Sequence, residues 1–197
     1  MRALIFSLLL PLVLSACGAD AIYATDAEVA RARYVSDEPP SITLVTAVNN
    51  RSGEGGHTGL IINGSQRVLW DPAGTWFNRA APERYDMFFG MNDQLVDIYY
   101  DYHARVTYHL VIQTVPVTRE VADLAIRRFQ AKGAAPKAFC SRYTTSVLNT
   151  LPGFESLPTT FFPVTTMKAF AKLPGVKTRK IYDNDTDDNK ALLTPQT

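Results

Sequence analysis

Two apolar runs broken by a turn dipeptide constrain the fold most. His57 to Ile62 (HTGLII) and Gln66 to Asp71 (QRVLWD) flank Asn63-Gly64. Asn-Gly supplies the positive φ angles that a tight hairpin needs, so the two runs are expected to pair antiparallel. A two-residue loop at Asn63-Gly64 pairs Ile62 with Ser65 and sets His57 opposite Trp70. A longer loop or a bulge is needed to bring Asp71 opposite His57.

Other segments extend the pattern. Ser41 to Val48 (SITLVTAV) reads as a strand, followed by the glycine-rich loop Asn49 to Gly56. Pro82 to Phe89 is expected to form a short helix. Leu95 to Tyr100 and Arg105 to Val115 read as strands, the second with Val106, Tyr108, Leu110 and Ile112 on one face and His109 on the polar one. Thr118 to Lys132 carries Val121, Leu124, Ala125 and Phe129 at helical spacing, with Gly133 after it. Cys140 to Thr150 is a second helix, stopped by Leu151-Pro152-Gly153, and Thr166 to Leu173 a third. Val176 to Tyr182 reads as a late strand. The order predicts an α+β domain, an antiparallel sheet with packed helices on one side, over residues 41–182. Residues 183–197 are expected to be a mobile, polar, acidic tail.

The amino terminus has the parts of a secretory signal. A basic start at Arg2 leads into the apolar run Leu4 to Leu14, which is too short to span a membrane as a helix. Small residues follow at Ser15-Ala16 before Cys17. Leu14-Ser15-Ala16-Cys17 resembles the lipobox of bacterial lipoproteins. That resemblance implies removal of residues 1–16, lipid on Cys17, and residues 17–40 as a tether to the cell envelope. Because Gly18 follows, the expected place is the outer membrane, facing the periplasm, in a cell with two membranes.

Removing residues 1–16 takes away Arg2 and no acidic residue, so the formal charge falls from +1 to 0. A neutral chain has no electrostatic footprint for nucleic acid. Hydrophobic content of 46% fits a globular domain rather than a disordered chain. With two cysteines in all, lipid on Cys17 leaves Cys140 without a disulfide partner. It is then either a small buried apolar group or a thiol kept for its chemistry.

Cys140 opens a predicted helix, where unpaired N–H groups favour a thiolate. His57 opens a strand just after Glu54-Gly55-Gly56, and a neutral imidazole near the thiol can take its proton. Asp71 is the expected third residue, orienting His57, with His103 and His109 as alternatives. Trp70, Trp76, Gly56 and Ser141 are expected to line the substrate cleft. A zinc site from His57, Asp71 and Cys140 has suitable ligand types, but no close pair such as His-x-x-x-His supports it. Neither metal nor cofactor is expected. The acidic tail lacks the Gly and Glu positions of a calcium loop.

Gly56-His57-Thr58-Gly59-Leu60-Ile61-Ile62, a turn, Val68-Leu69-Trp70-Asp71, and later Phe139-Cys140-Ser141 resemble the papain-like NlpC superfamily. Here the histidine precedes the cysteine, which resembles the circularly permuted branch. The resemblance implies Cys140 as nucleophile, His57 as base and a polar residue near Asp71. It also implies hydrolysis or transfer at an amide or ester carbonyl. The usual branch acts on peptide bonds of cell-wall stem peptides; permuted members are more varied, and some handle acyl groups on lipids. A non-catalytic binding or scaffold lipoprotein is the alternative from another class.

Overall fold

The computed structural model describes residues 22–193. The expected signal, the expected lipid acceptor Cys17 and the end of the tail lie outside them. The fold is α+β, built on a seven-stranded antiparallel sheet in the order β4-β5-β3-β2-β1-β6-β7. In chain order the strands are β1 (Ser41–Asn49), β2 (Gly55–Asn63), β3 (Arg67–Trp70), β4 (Glu83–Arg84), β5 (Met87–Phe89), β6 (Tyr108–Pro116) and β7 (Lys177–Ile181). The helices are α1 (Asp26–Ala32), α2 (Asp93–His103), α3 (Arg119–Lys132), α4 (Cys140–Leu148) and α5 (Pro163–Phe170).

Helices cover both faces of the sheet, not one. Alternate residues of the central strands supply two cores. Ile42, Leu44, Leu60, Ile62, Val68 and Trp70 pack against α3, α4 and α5. Val45, Ala47, Ile61, Leu69, Leu110 and Ile112 pack against α2 and the segment before it. Burial on both faces explains why β1 and β3 read as continuous apolar runs.

Three local expectations are corrected. Leu95 to Tyr100 is helical, within α2. Asn92 caps that helix by accepting from the Leu95 N–H, and Leu95, Val96, Tyr99, Tyr100 and Tyr102 are its buried residues. The β-formers Val96, Ile98, Tyr99 and Tyr100 imitate a strand, but burial at helical spacing outweighs their local preference. Pro82 to Phe89 is not a helix but the β4–β5 hairpin, turned by Tyr85 and Asp86 at φ 48 and 66. Strand β6 begins at Tyr108, later than the predicted Arg105, and Val106 is exposed. The capped helix α3 matches its prediction, with Thr118 accepting from the Val121 N–H and Gly133 at φ 74.

Neither flank of the domain is loose where it is described. Between residues 22 and 40, Thr25 and Glu28 form a capping box at α1. The Tyr34 carbonyl takes the Arg67 N–H. Arg67 also bonds the Ser36 hydroxyl, and pairs with Glu38 at 3.2 Å and Asp93 at 2.6 Å. The expected mobile tail instead folds back as a strap. Asp185 meets Arg105 at 3.2 Å, Asp187 accepts from the Thr107 hydroxyl at 2.7 Å, and Asn189 donates to the Tyr102 carbonyl at 2.9 Å. Leu192 and Leu193 then pack on the α2-side core.

Removing residues 183–197 is expected to lower stability. Two partly buried leucines, at about 1.5–3 kcal/mol for full burial of each, set the scale at about 2–4 kcal/mol. For a domain of this size each kcal/mol moves Tm by about 2–4 °C. Thermal unfolding of the truncated chain checks this; an unchanged Tm would mean that the strap is not docked in solution.

Candidate active site

The β2–β3 turn decides the register. The Asn63–Arg67 pair closes a three-residue loop, Gly64 to Gln66, rather than the two-residue loop expected from Asn63-Gly64. The Gly64 N–H bonds the Gln66 carbonyl inside it. The longer loop sets Leu60 opposite Trp70, and the ladder ends there. Asp71 follows immediately, beside Gly59 rather than beyond His57. Gly59 has no side chain; an added Cβ would lie 3.4 Å from Asp71 Oδ1. The carboxylate therefore lies across the glycine and reaches the imidazole two residues away on the same strand face. His57 Nε2 and Asp71 Oδ1 are 2.6 Å apart.

A bulge helps to aim His57. His57 pairs with Ala47 and Gly55 with Val48, so Gly56 is the extra residue on β2. The Asp71 loop is held from below by the turn at Asp86. Its carbonyl takes the Asp71 N–H at 2.8 Å, and its carboxylate takes the N–H groups of Ala73 and Ala135 at 3.1 and 2.7 Å. Gly74 must be small: a Cβ there would fall 1.8 Å from Asp71 Oδ2.

Cys140 arrives from the other side of the sheet, at the first residue of α4. It is buried and has no disulfide partner among the described residues. With the β2–β3 ladder ended at Leu60, the end of β2 lies open to it. The His57 side chain and the backbone N–H groups of Thr58 and Ser141 lie near enough to its sulfur to favour the thiolate. Asp71 occupies Nε2 of His57, which leaves Nδ1 for the thiol. No side chain caps α4 at Phe139, so its first-turn N–H groups remain available to an anion. Ala138, two residues before the thiol, has φ 66. That left-handed backbone strains a non-glycine residue.

Charges follow from this geometry. Burial works against a charged His57, but the charge and hydrogen bond of Asp71, helped by Cys140, outweigh it and raise its pKa to about 10. Burial also opposes the Cys140 thiolate. The His57 hydrogen bond and charge and the two N–H groups prevail, holding the thiol below its ordinary value. Asp71 is likewise held below the usual carboxylate range, against burial, by the charge and hydrogen bond of His57 and by the Tyr99 hydroxyl. All three shifts favour the charged forms, a thiolate, an imidazolium and a carboxylate in a row.

Asp71, not His103 or His109, orients His57. His103 stacks nearly parallel to His57, with ring centroids 5.4 Å apart. Burial pushes its pKa down to about 4, so it is neutral, and its Nδ1–H donates to the Tyr99 carbonyl at 3.0 Å. His109 lies elsewhere, bonded to Asn50 Oδ1 at 2.7 Å and stacked on Tyr182. Its face of β6 also carries Val111, Gln113 and Val115, all buried, and so is not the polar face expected from the alternation.

A cleft of about 530 Å³ opens beside His57, lined by Gly56, Gly74, Tyr102, His103 and Asp187 among others. Of the four expected cleft residues only Gly56 lines it. Trp70 is fully buried on the opposite sheet face, against Phe129, with its indole N–H on the Thr144 hydroxyl. Trp76 is buried edge-on against Phe88 and Tyr99. The Ser141 side chain is buried on Thr166, 2.7 Å away; its backbone N–H is what reaches the site. Tyr99, expected only as part of a strand, donates its hydroxyl to Asp71 Oδ1 at 2.8 Å. Its spacing from His103, one helical turn, becomes a signal only once the segment is known to be a helix.

The metal-capable set here is His57, Asp71 and His103, whose ligand atoms lie within 4.8 Å of one another. The 2.6 Å between His57 Nε2 and Asp71 Oδ1 is a hydrogen-bond distance. Two ligands each about 2.0–2.2 Å from a tetrahedral zinc stand farther apart than that.

In comparisons with protein-family models, curated proteins and solved structures, nothing matches this chain. Its chemistry rests on its own geometry.

Proposed function

We propose that this protein is a thiol hydrolase of permuted papain-like fold that forms an acyl-enzyme at Cys140. The observation that carries the proposal is the chain of contacts from Cys140 through His57 to a buried Asp71 at 2.6 Å. Three residue types suited to acyl transfer converge from β2, the end of β3 and the start of α4.

In this reading the Cys140 thiolate attacks an amide carbonyl carbon, forming the C–S bond. N–H groups at the start of α4 hold the oxyanion. As the C–N bond breaks, the His57 imidazolium gives its proton to the leaving nitrogen. His57, now neutral, takes a proton from water, which attacks the thioester and releases the acid. Asp71 keeps the imidazole oriented through both steps. The substrate class is a cell-wall stem peptide, with the enzyme tethered at the envelope through lipid on Cys17.

An apolar acyl substrate is the second reading, favoured by one feature. Phe139, next to the nucleophile, packs on Phe161 at 5.0 Å, and Phe161 and Phe162 are 44% and 70% exposed. The test is incubation of the purified chain with cell-wall stem peptides and, separately, with acylated lipids. Release of new peptide termini that Cys140→Ala abolishes supports the first reading; release of fatty acid supports the second. A folded Cys140→Ala protein that retains every function in the cell would sink both, in favour of a binding lipoprotein.

A further inference from the structure

Asp71 is held by an element that supplies none of the three reacting residues. Tyr99, on α2, donates its hydroxyl to Asp71 Oδ1 at 2.8 Å, the same oxygen that meets His57 Nε2. The other carboxylate oxygen, Oδ2, is buried without a hydrogen-bond partner. Both donors therefore converge on one atom, and together they set how the carboxylate is turned. Tyr99 is fully buried. Burial and the neighbouring Asp71 charge push its pKa well above the ordinary phenol value, so the hydroxyl stays a donor.

The opposing strand makes room for that hydroxyl. A Cβ on Gly59 would lie 2.3 Å from Tyr99 Oη. What glycine provides there is space. One turn along α2, His103 donates to the Tyr99 carbonyl and covers one face of the His57 ring. The titratable groups around Asp71 are thus His57 from β2, Tyr99 and His103 from α2, and Cys140 from α4 beyond His57. Asp86 lies in the turn below.

We propose that Tyr99 is a positioning residue: its hydroxyl fixes the Asp71 carboxylate toward His57, and through it the imidazole against Cys140. The proposal rests on the reading of Cys140, His57 and Asp71 as the reacting group. Tyr99 touches neither the thiol nor a substrate, and acts only through Asp71.

A hydroxyl that donates to a carboxylate favours the anion over the acid. Hydrogen bonds to charged groups are strong enough to correspond to about one to two pH units. Without the hydroxyl, Asp71 takes its proton at higher pH as the solution is acidified. The negative charge behind His57 is then lost earlier, and with it the support for the thiolate.

The experiment is a ¹³C NMR titration of the Asp71 carboxyl in the full chain, as wild type, Tyr99→Phe and Gly59→Ala. The pH profile of Cys140 alkylation and Tm are measured on the same samples. Tyr99→Phe keeps the ring and removes only the donor. Gly59→Ala pushes on the same hydroxyl from β2. Both are expected to raise the Asp71 midpoint by about one to two pH units, with the acid limb of alkylation moving the same way. A lowered Tm with an unmoved Asp71 midpoint would overturn the proposal and leave Tyr99 as packing. If wild-type Cys140 alkylates like an ordinary thiol, the nucleophile reading fails instead, while the Asp71 titration still decides whether Tyr99 holds the carboxylate.

Discussion

Replacing His57 with alanine is expected to abolish the reactivity of Cys140 at neutral pH. In the wild type the thiol sits below its ordinary value and His57 stays protonated up to about 10. Alkylation of Cys140 should therefore be fast at neutral pH. Without His57, burial acts on Cys140 with only the two N–H groups opposing it. An ordinary thiol is a few per cent thiolate at pH 7, so alkylation there should fall at least tens-fold. Turnover of an acyl substrate should fall by about 10²–10⁴-fold, the usual contribution of a positioned acid–base group. The wild-type rate should be bell-shaped, rising as Cys140 ionises and falling as His57 loses its proton near about 10. Iodoacetamide labelling across pH, wild type against His57→Ala, measures the first part. Slow labelling of both proteins would mean that Cys140 is a buried structural cysteine.

The same substitution should cost stability, with a pH dependence of definite sign. Asp71 has no side-chain exposure, and His57 is one of the two donors on its Oδ1. Removing one partner of a buried ion pair typically costs about 3–5 kcal/mol, because the other charge is left uncompensated. His57 has its pKa raised from 6.5 to about 10, so its contribution is complete below the first value and lost as pH rises through the second. Asp71 is lowered from 3.8, so its contribution is present above that value and lost as pH falls through the depressed one. The stability deficit of His57→Ala should thus be full near pH 5–6. It should shrink on acidification, as Asp71 takes a proton, and on alkalinisation toward about 10. Adding Asp71→Asn to His57→Ala should recover part of the loss, since the buried charge goes. Urea unfolding of the wild type, the single variants His57→Ala and Asp71→Asn, and the double variant checks the cycle. A double variant as unstable as the sum of the singles would mean that the two side chains do not interact.

Much of the candidate site was legible in the sequence. A histidine after paired glycines, an aspartate closing the next strand, and a lone cysteine opening a helix are local patterns. Each reports a local physical need: small residues where a side chain must be approached, and free N–H groups where an anion must sit. The cleft residues were not legible in the same way. Trp70 and Trp76 flank Asp71 in sequence, but strand alternation sends Trp70 to the opposite core. The loop carrying Trp76 folds it beneath Tyr99. Adjacency along a strand says little about which face of a sheet a residue joins until the register is known.

By itself, the sequence determined the elements whose signals lie within a few residues. Among them are α3 between Thr118 and Gly133 and the antiparallel pairing of the runs around Asn63. Only the tertiary structure decided the rest. It made Leu95 to Tyr100 a helix, because residues at helical spacing there find a core to enter. It lengthened the β2–β3 loop by one residue and so brought Asp71 beside Gly59. It also laid the acidic tail across the α2 face, where Arg105 and Thr107 receive it. In each case the deciding free energy comes from partners far away in the chain. Local propensity does not contain it.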